Sequence, residues 1–130
     1  MTVLDTNTIL RCILQDNEEV AALVDERMAR DECLIPLEVV AEMVFVLLKV
    51  YCLNRTEIAN SVLMIIRHKN VRVPNRGVVE TALRYFEESK LDFVDCLMIG
   101  YAQVEGYKIF TFDKELNKML STPTEVDPRL

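Results

Sequence analysis

Short apolar runs that stop at a polar residue alternate along this chain with longer segments of helical period. Thr2–Asp5 reads as a buried strand, and Thr6 to Gln15 as a helix with Ile9, Leu10, Ile13 and Leu14 on one face. Asn17 is placed to cap a second helix running through Arg30. Cys33-Leu34-Ile35 is a strand stopped by Pro36, a long helix follows from Glu38 to about Leu53, and Thr56 is expected to cap another from Glu57 to His68. Val71-Arg72-Val73 reads as a third strand before Pro74, and Gly77 to Ser89 as an amphipathic helix. Asp92 is expected to cap the helix Phe93–Glu105, which Gly106 ends. The strand Lys108–Phe112, a short helix after Asp113, and a polar tail with a marginal strand at Val126 complete the chain.

Strands alternating with helices imply an α/β chain with a mostly parallel sheet of about four to five strands, covered by helices on both faces. In such sheets ligands bind beyond the carboxyl ends of the strands. Asp5 and Asp113 each lie just past such an end.

At 130 residues, 51% of them apolar, the chain suits one domain with a substantial core. Its 15 Lys and Arg against 21 Asp and Glu argue against a non-specific nucleic-acid binder, whose affinity comes from a basic surface. They do not exclude a nuclease, because metal ions can neutralise carboxylates and recruit phosphate locally. Cys12, Cys33, Cys52 and Cys96 have no paired spacing and read as buried thiols in a reducing cytosol. No secretory signal precedes the first strand, and the longest apolar run, Val39 to Leu48, is too short for a bilayer. A cytoplasmic location is expected.

Four carboxylates stand out. Asp5 and Asp113 follow strands, whereas Glu42 and Asp95 interrupt apolar helical stretches. Glu42 is followed by Phe45 and Val46, and Asp95 by Met98, Ile99 and Ala102 on its own face. Each has a bland reading as well: Asp5 and Asp113 as helix caps, Glu42 as the edge of a buried helix, Asp95 as a core-edge acid. Their joint occurrence favours a cation, because acids in apolar surroundings cost folding energy unless something positive binds them. Hard oxygen donors suit Mg2+ or Mn2+. Asp92 is a natural cap, and Thr6, Asn7 and Thr111 offer small hydrogen-bonding groups beside the acids. Arg11 stands six residues after Asp5, where it can meet a substrate phosphate or serve as a helix-surface charge. His68 ends a helix as a structural cation, and its solitude weakens any triad mechanism.

Asp5-Thr6-Asn7-Thr8-Ile9-Leu10-Arg11, Ile35-Pro36-Leu37-Glu38-Val39-Val40-Ala41-Glu42, Asp92-Phe93-Val94-Asp95-Cys96-Leu97 and Thr111-Phe112-Asp113-Lys114 together resemble the ordered motifs of the PIN-domain family, and most of all its VapC-type toxins. The resemblance implies a single Rossmann-like domain over residues 1–130 and single-strand endoribonuclease activity dependent on Mg2+ or Mn2+. It also implies a homodimer and inhibition by a cognate antitoxin. Asp5, Glu42, Asp95 and Asp113 match the family's acidic quartet, Thr111 its supporting polar residue, and Asp92 a less regularly acidic position. Asp5, Asp95 and Asp113 would be direct or water-mediated ligands, with Glu42 holding water or helping to deprotonate the nucleophile.

Three rivals remain at this level. Asp5-Thr6-Asn7-Thr8 faintly resembles the motif of haloacid dehalogenase-type phosphatases, but Asn7 stands where that chemistry needs its second Asp. A PIN-domain nuclease that processes RNA without being a toxin is the second, and a catalytically silent PIN-like module that binds RNA or protein is the third. The excess apolar surface of the two central helices, including Phe45, Leu47, Leu48, Tyr51, Leu53, Val62, Leu63, Ile65 and Ile66, independently points to a protein partner.

Overall fold

The computed structural model describes residues 1–120. The expected strand at Val126 lies outside them. Two compact units divide the chain, one spanning Met1–Arg76 and the other beginning at Gly77.

In the first unit three two-residue strands, β1 (Thr2–Val3), β2 (Cys33–Leu34) and β3 (Val71–Arg72), form a parallel sheet in the order β1-β2-β3. Thr2 pairs with Cys33 and Val3 with Leu34, while Cys33 pairs with Val71 and Leu34 with Arg72. Backbone bonds extend the ladder past the strand ends: Leu4 N–H donates to Leu34 O at 2.9 Å and Ile35 N–H to Arg72 O at 2.9 Å. Pro36 has no N–H to continue it, and its fixed φ of −60° starts the next helix.

Four helices connect these strands in sequence: α1 (Thr6–Leu14), α2 (Glu18–Arg30), α3 (Leu37–Lys49) and α4 (Arg55–Ile66). α1 packs on α2 and α3, α3 on α4, and α4 on β3. Asn17 caps α2 by accepting from Val20 N–H, as its position implies. Asn70 ties the far end of that helix to the start of β3, its Nδ2 donating to Met28 O at 2.8 Å and Ala29 O at 3.1 Å.

The limits of α3 and α4 differ from expectation, α4 ending at Ile66 rather than His68. α3 ends at Lys49, four residues short of Leu53, because the backbone turns away through Cys52 at φ 55°. α4 starts one residue before Thr56, since Asn54 is the cap that accepts from Glu57 N–H at 2.8 Å. Asn is the stronger cap of the two. The early turn also leaves Cys52 exposed, whereas Cys33 and Cys96 are buried and Cys12 half-buried. His68 also closes its turn through its side chain, its Nδ1 accepting the Asn70 N–H at 3.1 Å.

The second unit contains α5 (Arg76–Glu88) from Gly77 onward, α6 (Phe93–Glu105) and α7 (Lys114–Leu120). Its core includes Val78, Leu83, Phe86, Phe93, Ile99 and Leu116. Phe86 and Phe93 meet edge to face, with centroids 6.1 Å apart. Gly106 ends α6 in the left-handed region, as expected. Among the described residues the parallel sheet has three strands rather than four or five. Lys108–Phe112 has strand composition but joins no ladder, and Phe110 and Phe112 are 70% and 80% exposed. β-propensity expresses fit to a paired, half-buried surface, and a segment without that pairing remains irregular. No helix among the described residues is long and apolar enough to cross a membrane.

Gly100 lets α6 approach α5: a Cβ there would lie 2.6 Å from the Val78 carbonyl oxygen. Backbone cannot yield as a flexible side chain would. Gly100→Ala is expected to cost about 1–3 kcal/mol, the scale of an overpacked core. Gly77→Ala, whose Cβ would stand 3.4 Å from Val104 Cγ1, should cost clearly less. Urea denaturation of both variants checks the order, and equal midpoints would show that the α5–α6 contact relaxes freely.

Candidate functional site

Asp5 sits where β1 gives way to α1. Its backbone is extended (φ −89°, ψ 173°), and its Oδ1 accepts the Thr8 N–H at 2.9 Å, so it caps the helix. That backbone hydrogen bond and a second from the Thr8 hydroxyl hold the Asp5 carboxyl below the ordinary Asp range, against a smaller opposing effect of burial. Asp113 repeats the arrangement at α7. Its Oδ1 accepts from Leu116 N–H at 2.9 Å, while its own N–H donates to Thr111 Oγ1 at 3.1 Å. Both acids therefore spend one carboxylate oxygen on a helix start. The capping role and a cation-binding role are compatible, because each has a second oxygen.

Glu42 lies on α3 within the first unit, and α3 packs against the helix that Asp5 caps. Its side chain is exposed, on a stripe with Glu38, Phe45 and Lys49, rather than on the buried face that Met43, Val44 and Leu47 form. The apolar neighbours that single it out in sequence include Phe45, itself 60% exposed. Thr6 and Asn7 lie in the first turn of α1, half-buried and exposed respectively.

Asp95 lies in the first turn of α6 and is half-buried. Its carboxyl is pushed above the ordinary Asp range, first by burial, then by the negative charges of Asp113 and Asp92. Asp92 occupies the N-cap position of α6, but its side chain makes no capping hydrogen bond. Three acids of the second unit thus share one electrostatic neighbourhood. The helix-start preference that makes Asp92 look like a cap is left unused.

Arg11 is engaged within the first unit. Its Nη1 pairs with Asp16, its Nη2 donates to the Tyr51 hydroxyl at 3.2 Å, and its Nε is buried without a hydrogen-bond partner. The residues that sequence reasoning missed are therefore Asp16 and Tyr51 beside Arg11, and Asn117 beside Thr111, whose carbonyl accepts from Asn117 Nδ2 at 2.9 Å. A signal for Asn117 exists: it is an amide four residues after Asp113, on the same side of a short helix. The Cys12 thiol donates to Asp25 at 3.6 Å and is pushed up to about 11 by burial and then by that carboxylate, so it is a poor nucleophile at neutral pH.

Among the described residues no three His, Cys, Asp or Glu side chains are gathered closely enough to hold a metal ion by themselves. The donor chemistry nevertheless fits a hard divalent cation. Mg2+ typically takes one or two carboxylates and completes its shell with water and substrate phosphate. Burial is the first cause of the raised Asp95 carboxyl, and the second, the negative charge of Asp113 and Asp92, is the kind that such a cation relieves.

A PIN-domain family model matches residues 2–119, and the chain belongs to the PIN-domain family. No curated protein and no solved structure matches it. PIN domains are generally metal-dependent nucleases and typically bind divalent metal ions, so a nuclease-type, nucleic-acid-directed function follows from membership.

A carboxyl whose pKa is higher in the folded than in the unfolded chain destabilises the fold as pH rises through the unfolded value, and fully so above the folded one. Asp95→Asn should accordingly melt above wild type at pH 7 without added metal, the difference closing toward about pH 4, where unfolded Asp protonates. Asp5 has the opposite sign: its lowered carboxyl contributes stability above the unfolded pKa that is lost as pH falls through the folded one. Asp5→Ala should cost about 1 kcal/mol at neutral pH, and Asp5→Asn less, because it keeps the cap and loses only the charge. Thermal melts across this range decide. An Asp95→Asn variant less stable than wild type at pH 7 would contradict the penalty that burial and the neighbouring acids place on its charge.

Proposed function

We propose that this chain is a single-strand endoribonuclease dependent on Mg2+ or Mn2+, acting as the toxin of a toxin–antitoxin pair, with Asp5, Glu42, Asp95 and Asp113 as its catalytic carboxylates. The observation that carries the reading is PIN-domain membership over residues 2–119, and the half-buried Asp95, within electrostatic reach of Asp92 and Asp113, supports it. The cation, when bound, would supply charge neutralisation at the phosphodiester and lower the pKa of the attacking water. Asp95 and Asp113 would hold it with Asp5. Thr6, Asn7 and Thr111 would orient the acids, Asp113 through its N–H bond to Thr111 Oγ1. Glu42, exposed and unencumbered by a cap, is suited to take the proton of the nucleophilic water. Arg11 would contact a substrate phosphate through the Nη hydrogens that Asp16 and Tyr51 leave unused. Asp92 would act as an auxiliary acid.

The protein partners are proposed to be a second copy and an antitoxin. Of the apolar residues on the two central helices, Leu47, Val62, Ile65 and Ile66 are buried, but Phe45 and Met64 remain exposed, as does Val50 just past α3. Such residues lie where a partner would cover them. The four cysteines form no disulfide, which supports a reducing cytoplasm.

Incubation of the protein with single-stranded RNA should give cleavage with Mg2+ or Mn2+ and none with EDTA. Changing Asp5, Glu42, Asp95 or Asp113 to its amide should slow the reaction at least ~100-fold, the scale of losing one preorganised electrostatic group. Asp92→Asn should do less. Metal-independent cleavage would discard the mechanism, and well-folded protein that binds RNA without cutting it would establish the silent-module reading instead. Light scattering at micromolar concentration should report twice the 15.0 kDa of one chain. A purely monomeric species would remove the homodimer.

A further inference from the structure

Asn117 occupies a position that the fold alone does not explain. It lies inside α7, where Asn is a poorer helix former than Ala. Its Oδ1 is buried without a hydrogen-bond partner, a condition that normally costs stability. Its Nδ2 donates to the Thr111 carbonyl at 2.9 Å, six residues back. Reversing the amide would set two carbonyl oxygens against each other, so this bond fixes the side chain's orientation. The orphaned acceptor is the consequence.

The Thr111 that Asn117 holds is also the residue whose hydroxyl accepts the Asp113 N–H at 3.1 Å. Asp113 in turn returns two contacts to α7. Its Oδ1 takes the Leu116 N–H at 2.9 Å, and its carbonyl takes the Asn117 N–H at 3.0 Å. Asn117 therefore grips both sides of the turn, through its backbone at Asp113 and through its side chain at Thr111. With Oδ1 committed to the cap, the carboxylate is held against rotation. Its Oδ2 is left as the oxygen to meet a cation.

We propose that Asn117 is a positioning residue for Asp113: by clamping the Thr111–Asp113 turn onto α7 it sets the direction of the carboxylate oxygen that takes the divalent cation. This rests on the reading of Asp113 as a carboxylate of the nuclease site. Outer groups that orient a ligand commonly contribute about 10–100-fold to metal affinity. Asn117→Ala loses one hydrogen bond, but it also removes the orphaned acceptor and gains helix propensity. Its fold should be nearly as stable as wild type.

The test separates positioning from structure by measuring Mn2+ binding directly, through the electron paramagnetic resonance signal of free Mn2+, on the full chain. Wild type should bind Mn2+, Asp113→Ala should bind it much more weakly, and Asn117→Ala should lose at least about tenfold in affinity with little change in melting temperature. Asn117→Ser, whose hydroxyl is too short to reach Thr111 O, should behave alike and serves if the Ala variant folds poorly. In RNA cleavage, both Asn117 variants should need more Mn2+ yet approach the wild-type rate at saturation. Mn2+ affinity within about twofold of wild type in both Asn117 variants, while Asp113→Ala loses binding, overturns this inference alone. If Asp113→Ala binds as wild type does, the nuclease-site assignment of Asp113 fails first, and the role of Asn117 falls with it.

Discussion

The two-residue strand β2 is bonded on both edges, and the first unit is arranged around it. Thr2 N–H and Leu4 N–H reach it from one side, and its Cys33 and Ile35 N–H groups reach the β3 side at 2.8 and 2.9 Å. Cys33 and Ile35 are fully buried. So short a ladder contributes little by itself, but burial makes each bond expensive to lose. The parallel register carries each strand to the same end of the sheet, where β1 runs into Asp5 and β2 into Pro36 and α3. The positions of Asp5 and Glu42 thus follow from the register of the three strands that pair among the described residues.

At the ends of elements, the same atoms answer two demands. A helix start has backbone N–H groups without partners, and a carboxylate satisfies one of them while favouring the dipole. Asp5 and Asp113 do this with one oxygen each. The cap fixes the carboxylate's direction, so the other oxygen is presented in a defined orientation at low entropic cost. Folding and ligand binding therefore reinforce each other at these two positions. At Asp95 they oppose. Burial and the charges of Asp113 and Asp92 both disfavour its ionised form, and that unfavourable charge is what a cation would relieve.

The acidic balance of the chain does not conflict with PIN-domain membership. A net charge of −6 disfavours non-specific attraction to a polyanion. Local chemistry then has to supply the attraction, and a cation held by carboxylates is the economical source. The exposed Phe45, Val50 and Met64 give the first unit a surface of a different character, apolar rather than charged.

The residues that periodicity and caps specify were legible from the chain alone. Asn17 and Gly106 mark helix ends by their own backbone and side-chain preferences, and the α1, α2 and α6 segments fall where the apolar spacing puts them. Asn54 in place of Thr56, and the early end of α3, turn on differences of about a kilocalorie that local reading does not resolve. The order of the four acidic motifs was likewise readable, and it pointed to the family that the chain belongs to. Tertiary structure decided the rest. It assigned the exposed side of α3 to Glu42, drew Arg11 to Asp16 and Tyr51, brought Asp92 and Asp113 within electrostatic reach of Asp95, and clamped Thr111 with Asn117. It also left Lys108–Phe112 outside the ladder despite its strand composition. The division has one cause: a residue's own conformational preference is carried by its type and spacing, whereas exposure, pairing and charge proximity depend on neighbours distant in the chain.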